Sequence, residues 1–435
     1  MKTVSVGLCG LGTVGSGVFN VMRRNAALIR ARTGCDVKIV HVGTRREREG
    51  CDLSGMMVSR DIFAVANDPQ VQVVVELIGG TEVARELVMT AIQNGKHVVT
   101  ANKALLARHG ADIFAAAAQH RVAVLYEAAV AGGIPVIKAL REGLVANRIH
   151  WVAGIINGTT NFILTEMREK GRAFADVLKE AQALGYAEAD PTFDVEGIDA
   201  AHKLVILASL AFAMPLEIDR VTTEGITAIT QEDIRYASEL GYCIRHLGIA
   251  RETVAGVELR VSPTLVPQGS RMAQVDGVQN AVMVMGDAVG PTLYSGAGAG
   301  SEPTASAVIA DIVDLARALS HGQLPVVPYM GVEPAAVCAR TILPKEARSS
   351  AYYVRLVVRD KPGVMSDLTQ AFSAAGISIE AIIQKEPARG EVEVSVVLLT
   401  NVVQEQQLNQ ALADIASRPF VTAKPVRLHV DNLAS

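Results

Sequence analysis

Several features are scarce in this chain of 435 residues, and each scarcity excludes a class of protein. Aromatic residues make up only 4%, so the apolar half of the chain is mostly aliphatic, which suits close packing of helices on sheets. The 41 basic and 45 acidic residues leave a net charge of −4, which argues against a nucleic-acid partner. The longest apolar run, 204–216, has 13 residues, short of the roughly 20 that a membrane span needs.

Cysteine is also rare. The five cysteines are odd in number, widely spread and without a C-x-x-C pair: Cys9, Cys35, Cys51, Cys243 and Cys338. This pattern favours reduced thiols over a disulfide framework or a zinc site. A glycine loop stands where the apolar core of a signal peptide would lie, so we expect a cytoplasmic protein. At roughly 150 residues per domain, the length indicates two or three domains.

Periodicity divides the chain into segments of different texture. Residues 1–127 predict strands alternating with helices, the Rossmann-type doubly wound parallel sheet. Residues 128–302 predict an α+β domain, and a strong helix over 303–320 is expected to complete the first domain. Residues 321–350 are rich in proline and predict a linker. Residues 351–431 predict a self-contained βαββαβ unit, the ferredoxin-like order, so the fold class is α/β.

The first predicted strand runs into GLCGLGTVG, in which Gly10, Gly12 and Gly15 satisfy G-x-G-x-x-G. These glycines allow a tight turn, the close approach of a pyrophosphate and close packing of a helix on a strand. Residues 14–32 predict the helix whose N-terminus would bind the pyrophosphate. A strand, a glycine turn and a helix in this order predict dinucleotide binding.

The second predicted strand ends at GTRR, without the acidic residue that accepts the ribose hydroxyl of NAD. Arg45 and Arg46 stand there instead, and arginine suits the 2′-phosphate of NADP. We therefore expect NADP, with NAD also usable, and the alternative is a solvated basic turn. A second glycine-rich segment, 294–308, opens a helix and either closes over the cofactor or serves as a hinge.

Five carboxylates precede an apolar helix, and they are Glu188, Asp190, Asp194, Glu196 and Asp199. Asp199 and Lys203 are four residues apart and share one helix face. One interpretation is a solvated acidic loop followed by a helix salt bridge. The other is the mouth of a polar pocket, where Lys203 exchanges a proton with a substrate oxygen and Asp199 orients it.

Two further segments carry polar groups at the ends of predicted strands. Lys103 opens the helix after the fourth strand, and it is either an ordinary exposed lysine or a contact for a carboxylate or carbonyl. Gly158 and Thr159, in INGTTNFIL, form either a structural turn or a turn that holds a substrate carboxylate.

Together these motifs resemble the homoserine dehydrogenase family, in its monofunctional form with a C-terminal ACT domain. GLCGLGTVG, TANKALLA, INGTTNFIL, GYAEADPTFDVEGIDAAHKL and SGAGAGSEPTASAV occur in the family's order. The acidic block ending in D-x-x-x-K is the most specific of them. The resemblance covers essentially the whole chain and implies that residues 128–302 form the substrate-binding and dimerisation domain. The resemblance implies interconversion of L-aspartate 4-semialdehyde and L-homoserine with NAD(P), in the synthesis of threonine and methionine.

The resemblance also implies roles for particular residues. Lys203 matches the catalytic proton donor and acceptor, Asp199 its partner, and Lys103 a lysine near both nicotinamide and substrate. The positions expected to bind substrate are Glu188, Asp194, Gly158, Thr159 and Tyr186. Together with Arg45, which the pattern after the second strand suggests, the residues expected to bind the cofactor are Gly10, Leu11, Gly12, Thr13, Val14, Arg45, Lys103, Gly300 and Glu302. Those that match a site for a monovalent cation, sodium, held through mainly backbone oxygens, are Glu127, Val130, Gly132 and Ile134.

The C-terminal segment resembles an ACT domain, because RDKPGVMSDLTQAF has that family's strand, D-K-P-G turn and helix. The resemblance implies threonine as an inhibitor and a homodimer or homotetramer, although a purely dimerising role is the alternative. Two other functions stay open at this point. One is an aldehyde dehydrogenase of the aspartate-semialdehyde type, which needs an activated cysteine. The other is a non-catalytic regulator that senses nucleotides and amino acids.

Overall fold

The computed structural model describes residues 2–46, 48–324, 327–386 and 392–433. The chain folds into two compact units, each assembled from separate stretches of sequence. The first comprises Met1–Gly158, Asp199–Val221 and Val278–Arg340, and the second comprises Thr159–Ile198, Thr222–Gly277 and Thr341–Ser435. Within the described ranges, no helix combines the length and the apolar character of a membrane span.

Strands and helices alternate in the N-terminal stretch of the first unit. In chain order they are β1 (Thr3–Cys9), α1 (Thr13–Arg24), α2 (Ala26–Thr33), β2 (Asp36–Gly43), β3 (Met57–Ser59), α3 (Ile62–Asn67), β4 (Val73–Glu76), α4 (Glu82–Gln93), β5 (His97–Thr100), α5 (Lys103–His120), β6 (Val124–Leu125), α6 (Val136–Lys138) and β7 (Ile149–Ile155).

The middle of the chain supplies longer strands. Its elements are α7 (Gly158–Lys170), α8 (Phe174–Ala183), α9 (Thr192–Val195), α10 (Ile198–Phe212), β8 (Thr222–Thr223), α11 (Gln231–Glu239), β9 (Tyr242–Thr253), β10 (Gly256–Pro267), β11 (Gln279–Gly286), β12 (Gly290–Ala297) and α12 (Ser301–Ser320). The C-terminal elements are β13 (Ser349–Arg359), α13 (Val364–Ala374), β14 (Ile379–Gln384), β15 (Glu393–Thr400), β16 (Val403–Gln404), α14 (Glu405–Ala416) and β17 (Val426–Val430).

A parallel sheet of six strands forms the centre of the first unit, in the order β3-β2-β1-β4-β5-β6. Its strands are nearly all apolar, as expected where helices cover both faces, and every residue of β4 is buried. The predicted Rossmann-type fold is confirmed. The single helix predicted over 14–32 is wrong, because Asn25 (φ −104°, ψ 18°) leaves the helical conformation and separates α1 from α2.

The long helix α12 of the first unit packs on α1 beside this sheet. Val308 and Ile312 of α12 share one core with Val18 and Phe19 of α1. The prediction starts this helix at residue 303, but it begins at Ser301. The first unit also contains β11 between β7 and β12, antiparallel to both.

The predicted linker is partly folded onto the first unit. The hydroxyl of Tyr126 donates to the carbonyl of Tyr329 at 2.7 Å, and the ring of Tyr329 stacks on Phe114 with 4.4 Å between centroids. Residues 325 and 326 of this segment lie outside the described residues.

One sheet runs through the second unit in the order β9-β10-β17-β13-β15-β14. The part β17-β13-β15-β14, with α13 and α14, has the predicted ferredoxin-like order. The expectation that this segment is self-contained is wrong, because β17 pairs with β10 through Leu265 and Val430. Its Tyr353 and Leu428 are also buried in one core with Phe162 of α7.

Candidate active site

Helix α10 begins with the acid and the lysine that the sequence pairs. The Nζ atom of Lys203 lies 2.6 Å from Oδ2 of Asp199, one helical turn away. It also donates to the carbonyl of Ile156, 2.7 Å away, just after β7. Asp199 is only 4% exposed, so the predicted i,i+4 salt bridge is present but buried. A solvated acidic loop does not explain this pair.

A second lysine reaches the same carboxylate from a different element. Lys103 is the first residue of α5, and its Nζ atom lies 3.0 Å from Oδ1 of Asp199. The amide of Asn157 donates to Oδ2 of Asp199 at 2.9 Å. Two ammonium groups therefore flank one carboxylate, which leaves this cluster with a net positive charge.

Asp199 stays ionised in this environment. Burial alone would raise the pKa of Asp199, but Lys203 and then Lys103 outweigh it and hold that pKa well below its usual value. The carboxylate therefore remains an acceptor for the groups that surround it.

The glycine turn after β1 has the geometry that a pyrophosphate requires. Gly10 has φ +98°, and a Cβ atom there would lie 2.6 Å from the carbonyl of Leu77. A Cβ atom on Gly15 would lie 2.0 Å from the carbonyl of Gly10, whereas one on Gly12 would meet no atom within 4 Å. The turn is thus tight on the protein side and open before α1, which begins at Thr13 without a side-chain cap. These residues fit a bound dinucleotide.

The loop after β2 lies beside this turn, since the N–H of Gly10 donates to the carbonyl of Gly43 at 2.8 Å. Arg45 and Arg46 are exposed there. A third guanidinium joins them, because Arg60 donates to the carbonyl of Arg45 at 2.8 Å. This concentration of positive charge fits a phosphate on the adenosine ribose.

The late glycine loop meets the start of α1. Gly300, with φ +127°, precedes α12, and the hydroxyl of Ser301 donates to the carbonyl of Thr13 at 2.7 Å. The carboxylate of Glu302 binds Arg24 of α1 through two hydrogen bonds of 2.7 and 3.0 Å. Gly300 therefore lies near the pyrophosphate turn, while the side chain of Glu302 ties the two helices together.

Of the residues predicted to bind substrate, two are in contact. The hydroxyl of Thr159 donates to the carbonyl of Tyr186 at 2.6 Å. Glu188 is exposed, and Asp194 is half-buried in α9. These four belong to the second unit, whereas Gly158 belongs to the first. Their place in a substrate pocket stays a prediction.

The predicted cation residues surround a turn of unusual conformation. Glu127 is buried, and its carboxylate accepts the N–H groups of Ile137 at 3.0 Å and Lys138 at 2.8 Å. Burial raises the pKa of Glu127 to about 7. Gly132 has φ +51°, and a Cβ atom there would lie 2.3 Å from the carbonyl of Gly298.

The chemistry of these donors limits the ion that they can hold. Among the described residues, no group of three or more His, Cys, Asp or Glu side chains could hold a metal. Val130 and Ile134 are buried and offer only backbone oxygens. One carboxylate with backbone carbonyls fits a monovalent cation better than a divalent one, which requires more charged ligands.

Asn157 also belongs to the site, although no sequence pattern singled it out. It stands one residue before Gly158 in INGTTNFIL, two residues after the end of β7. The signal available was its place after a buried strand, where polar groups collect, but its partner Asp199 comes from a distant segment. Only the fold brings them together.

A nucleotide turn at the carboxyl ends of parallel strands, with two lysines on a buried carboxylate in the same unit, defines the class: an NAD(P)-dependent oxidoreductase. Family models agree with this class. One described as homoserine dehydrogenase matches residues 135–313, its NAD binding domain matches residues 10–127, and the ACT domain matches residues 352–420.

Individual relatives point to the same family. The chain is 57% identical to the homoserine dehydrogenase of Pseudomonas aeruginosa, and the match covers 100% of both proteins. It is 50% identical to that of Neisseria gonorrhoeae over 99% of this chain and 100% of the relative. The crystal structure of a homoserine dehydrogenase from Thiobacillus denitrificans matches with a TM-score of 0.95 and 55% identity, covering 100% of this chain and 99% of the other. The chain therefore belongs to the homoserine dehydrogenase family, whose enzymes act on a CH–OH group.

This membership removes the two alternative functions. The family's enzymes act on a CH–OH group, whereas the thioester mechanism needs an activated thiolate, and burial raises the pKa of Cys9, the cysteine beside the glycine turn. A regulator without catalysis has no use for the buried arrangement of Lys203 on Asp199.

Proposed function

We propose that this enzyme reduces L-aspartate 4-semialdehyde to L-homoserine with NADPH, and catalyses the reverse reaction, in the synthesis of threonine and methionine. The observation that supports this most is the buried Asp199 carboxylate between the ammonium groups of Lys203 and Lys103. A carbonyl oxygen that becomes an alkoxide needs a proton and a positive environment. Two lysines on one oriented carboxylate provide both.

Lys203 is the proton donor during reduction and the base in the reverse direction. When bound, the dinucleotide supplies the hydride that the aldehyde carbon accepts. The Nζ atom of Lys203 gives its proton to the developing alkoxide, and Asp199 together with the carbonyl of Ile156 orients that atom. Lys103 adds positive charge near the same oxygen, which lowers the energy of the transition state.

The substrate is an amino acid, so its own charges need partners. In this proposal Glu188 binds the ammonium group, which selects an amino acid over a simple aldehyde. Asp194, Gly158, Thr159 and Tyr186 complete the substrate site. The contact of Thr159 with Tyr186 supports a common location for two of them.

The cofactor is NADP in this proposal, with NAD also accepted. Residues 10–14, which include Leu11, Thr13 and Val14, bind the pyrophosphate, and Arg45 binds the 2′-phosphate. Gly300 covers the nucleotide, and Glu302 holds the covering loop through Arg24. The exposed guanidinium groups after β2 support NADP, because an acidic residue there would favour NAD.

Regulation, assembly and location complete the proposal. The ACT segment binds threonine as an inhibitor, and the enzyme is a homodimer or homotetramer. Glu127, Val130, Gly132 and Ile134 hold a sodium ion. The five cysteines, all free, support a reducing compartment, the cytoplasm. The proposal assigns cofactor binding to residues 1–127 with the helix over 303–320, substrate binding and dimerisation to residues 128–302, and regulation to residues 351–431.

Replacing Lys203 tests the catalytic proposal. We expect Lys203→Ala to lower kcat for NADPH oxidation with aspartate semialdehyde by about 100-fold or more, because a positioned acid contributes roughly 10²–10⁴-fold. NADPH binding, measured by fluorescence titration, stays near the wild-type value. Lys179→Ala, on the exposed face of α8, is the matched control and keeps full activity. Wild-type turnover by Lys203→Ala would remove this lysine from the mechanism.

The same activity assay tests three of the remaining proposals. NADH in place of NADPH gives the cofactor preference, added threonine shows inhibition or its absence, and replacing sodium by a large organic cation shows whether turnover depends on the ion. Light scattering, a separate measurement, gives the oligomeric state.

A further inference from the structure

The proposed mechanism does not use one buried glutamate, Glu76. It lies at the end of β4, the strand beside β5, and Lys103 follows β5 in the chain. Glu76 is the last residue of β4, and it stands in register with Thr100, the last residue of β5. Both are 0% exposed. Burying a carboxyl group costs free energy unless hydrogen bonds compensate for the lost water, so its contacts must account for its presence.

The carboxylate of Glu76 joins two strand ends. Its Oε2 atom accepts the hydroxyl of Thr100 at 2.6 Å. Its Oε1 atom accepts the N–H groups of Ile78 at 2.9 Å and Gly79 at 3.2 Å, which shapes the loop after β4. All three groups are donors, so each bond uses a carboxylate oxygen as acceptor.

From Thr100 the hydrogen bonds continue to the helix that carries Lys103. The hydroxyl oxygen of Thr100 accepts the N–H of Asn102 at 3.0 Å. Asn102 is the N-cap of α5, and its Oδ1 atom accepts the N–H of Leu105 at 3.0 Å. Its Nδ2 atom donates to the carbonyl of Gly80 at 2.7 Å, in the loop that Glu76 shapes.

We propose that Glu76 is a positioning residue for Lys103, acting through Thr100 and Asn102. Lys103 is the first residue of α5 and follows the N-cap, Asn102, directly. Thr100 and Glu76 hold that N-cap in place, so they also fix the backbone position from which the side chain of Lys103 extends. Its Nζ atom then lies 3.0 Å from Asp199. The inference rests on the proposed role of Lys103 in reduction.

Two isosteric variants break this chain of bonds at different points. Glu76→Gln places an amide donor against either the backbone N–H groups or the hydroxyl of Thr100, so one bond is lost or reversed. Thr100→Val removes the hydroxyl and leaves the carboxyl group of Glu76 in place. Neither variant changes Lys103 itself.

We expect both variants to lower kcat by roughly tenfold, since displacing a catalytic group by a fraction of an ångström costs that order of rate. The KM for the semialdehyde changes less than kcat, because the loss is in the transition state. Thr100→Ser keeps the hydroxyl and restores most of the loss. Thr33→Val is the matched control, because Thr33 is another buried threonine of the first unit, bonded only within its own segment. It lowers the unfolding temperature without lowering kcat.

A second set of measurements separates positioning from general stability. In a Lys103→Ala background, Glu76→Gln and Thr100→Val lower kcat no further, since the group that they position is gone. An equal fall in that background, or unchanged kcat in the single variants, overturns the proposal. If Lys103→Ala alone has wild-type kcat, the proposed role of Lys103 fails. If it is slow while Glu76→Gln and Thr100→Val are not, only the role of Glu76 fails.

Discussion

At the scale of single residues, the charge of Asp199 organises the centre of the site. One carboxylate oxygen of Asp199 accepts hydrogen bonds from Lys203 and Asn157, and the ammonium group of Lys103 lies beside the other oxygen. A buried carboxylate is costly when unpaired, and so is the ammonium group of Lys203, whose side chain is only 12% exposed, whereas 33% of the Lys103 side chain is exposed. The four-residue spacing of Asp199 and Lys203 was readable from the sequence. Lys103 was expected near the site from its place at a strand end and from the family resemblance, but its ion pair with Asp199 was not predicted.

The depressed pKa of Asp199 predicts a particular dependence of stability on pH. A carboxyl group whose pKa is lower in the folded state contributes stability above its unfolded pKa of about 3.9, and this is lost as pH falls towards the folded value. We expect Asp199→Asn to lower the free energy of unfolding by about 3 kcal/mol at pH 7, because it leaves two lysines without their partner.

Urea unfolding of the wild type and Asp199→Asn between pH 3 and 7 measures this effect. The difference between them is constant above about pH 5 and shrinks below about pH 4, as the unfolded chain of the wild type takes up a proton. A difference that stays the same down to pH 3 would contradict the ion-pair account.

At the scale of elements, the cofactor site depends on how closely α1 and α12 approach. A Cβ atom on Gly17 would lie 2.5 Å from the carbonyl of Ser301, so only glycine allows the two helices this contact. That contact places Gly300 near the pyrophosphate turn. The sequence predicted a helix after each glycine-rich segment and the return of the later one to the first domain, but the close contact of Gly17 with Ser301 follows only from the tertiary fold.

Two alanine substitutions distinguish binding from packing. We expect Gly17→Ala to lower stability by about 1–3 kcal/mol, because overpacking forces the helices apart, and to weaken NADPH binding. Gly12→Ala is the matched variant, since its Cβ atom meets no protein atom within 4 Å and its φ of −75° suits any residue. It weakens NADPH binding by occupying the open side of the turn, with little change in unfolding temperature. Thermal unfolding and fluorescence titration measure both, and equal melting of the two variants would contradict this distinction.

At the scale of the whole molecule, the C-terminal segment is part of the second unit and not an appended module. Beyond the pairing of β17 with β10, the carboxylate of Asp233 in α11 accepts Nε of Arg355 at 2.6 Å and the hydroxyl of Tyr353 at 3.0 Å, both from β13. The carboxylate of Glu224 accepts a hydrogen bond of 2.9 Å from the guanidinium group of Arg427 in β17. The βαββαβ order was predictable from the sequence, but a sheet shared with an earlier segment was not, because it needs long-range pairing.

Removing this segment therefore tests whether the rest of the second unit needs it in order to fold. A variant that lacks residues 341–435 leaves β10 without β17, Asp233 without its buried guanidinium partner and the core around Phe162 open. We expect it to be insoluble or to unfold at low temperature, with little activity. In the intact enzyme, both parts of the second unit unfold in one calorimetric transition. A soluble truncated enzyme with wild-type kcat would show that the segment is dispensable.

The sequence by itself determined the local features of this protein, because they depend on residues that are neighbours in the chain. The strand and glycine turn, the apolar helix that starts with Asp199 and Lys203, and the βαββαβ order are of this kind. Tertiary structure decided which distant groups meet: Lys103 and Asn157 at Asp199, Ser301 at Thr13, and β17 at β10. Such contacts depend on how buried surfaces pack across the whole chain, so no local pattern contains them.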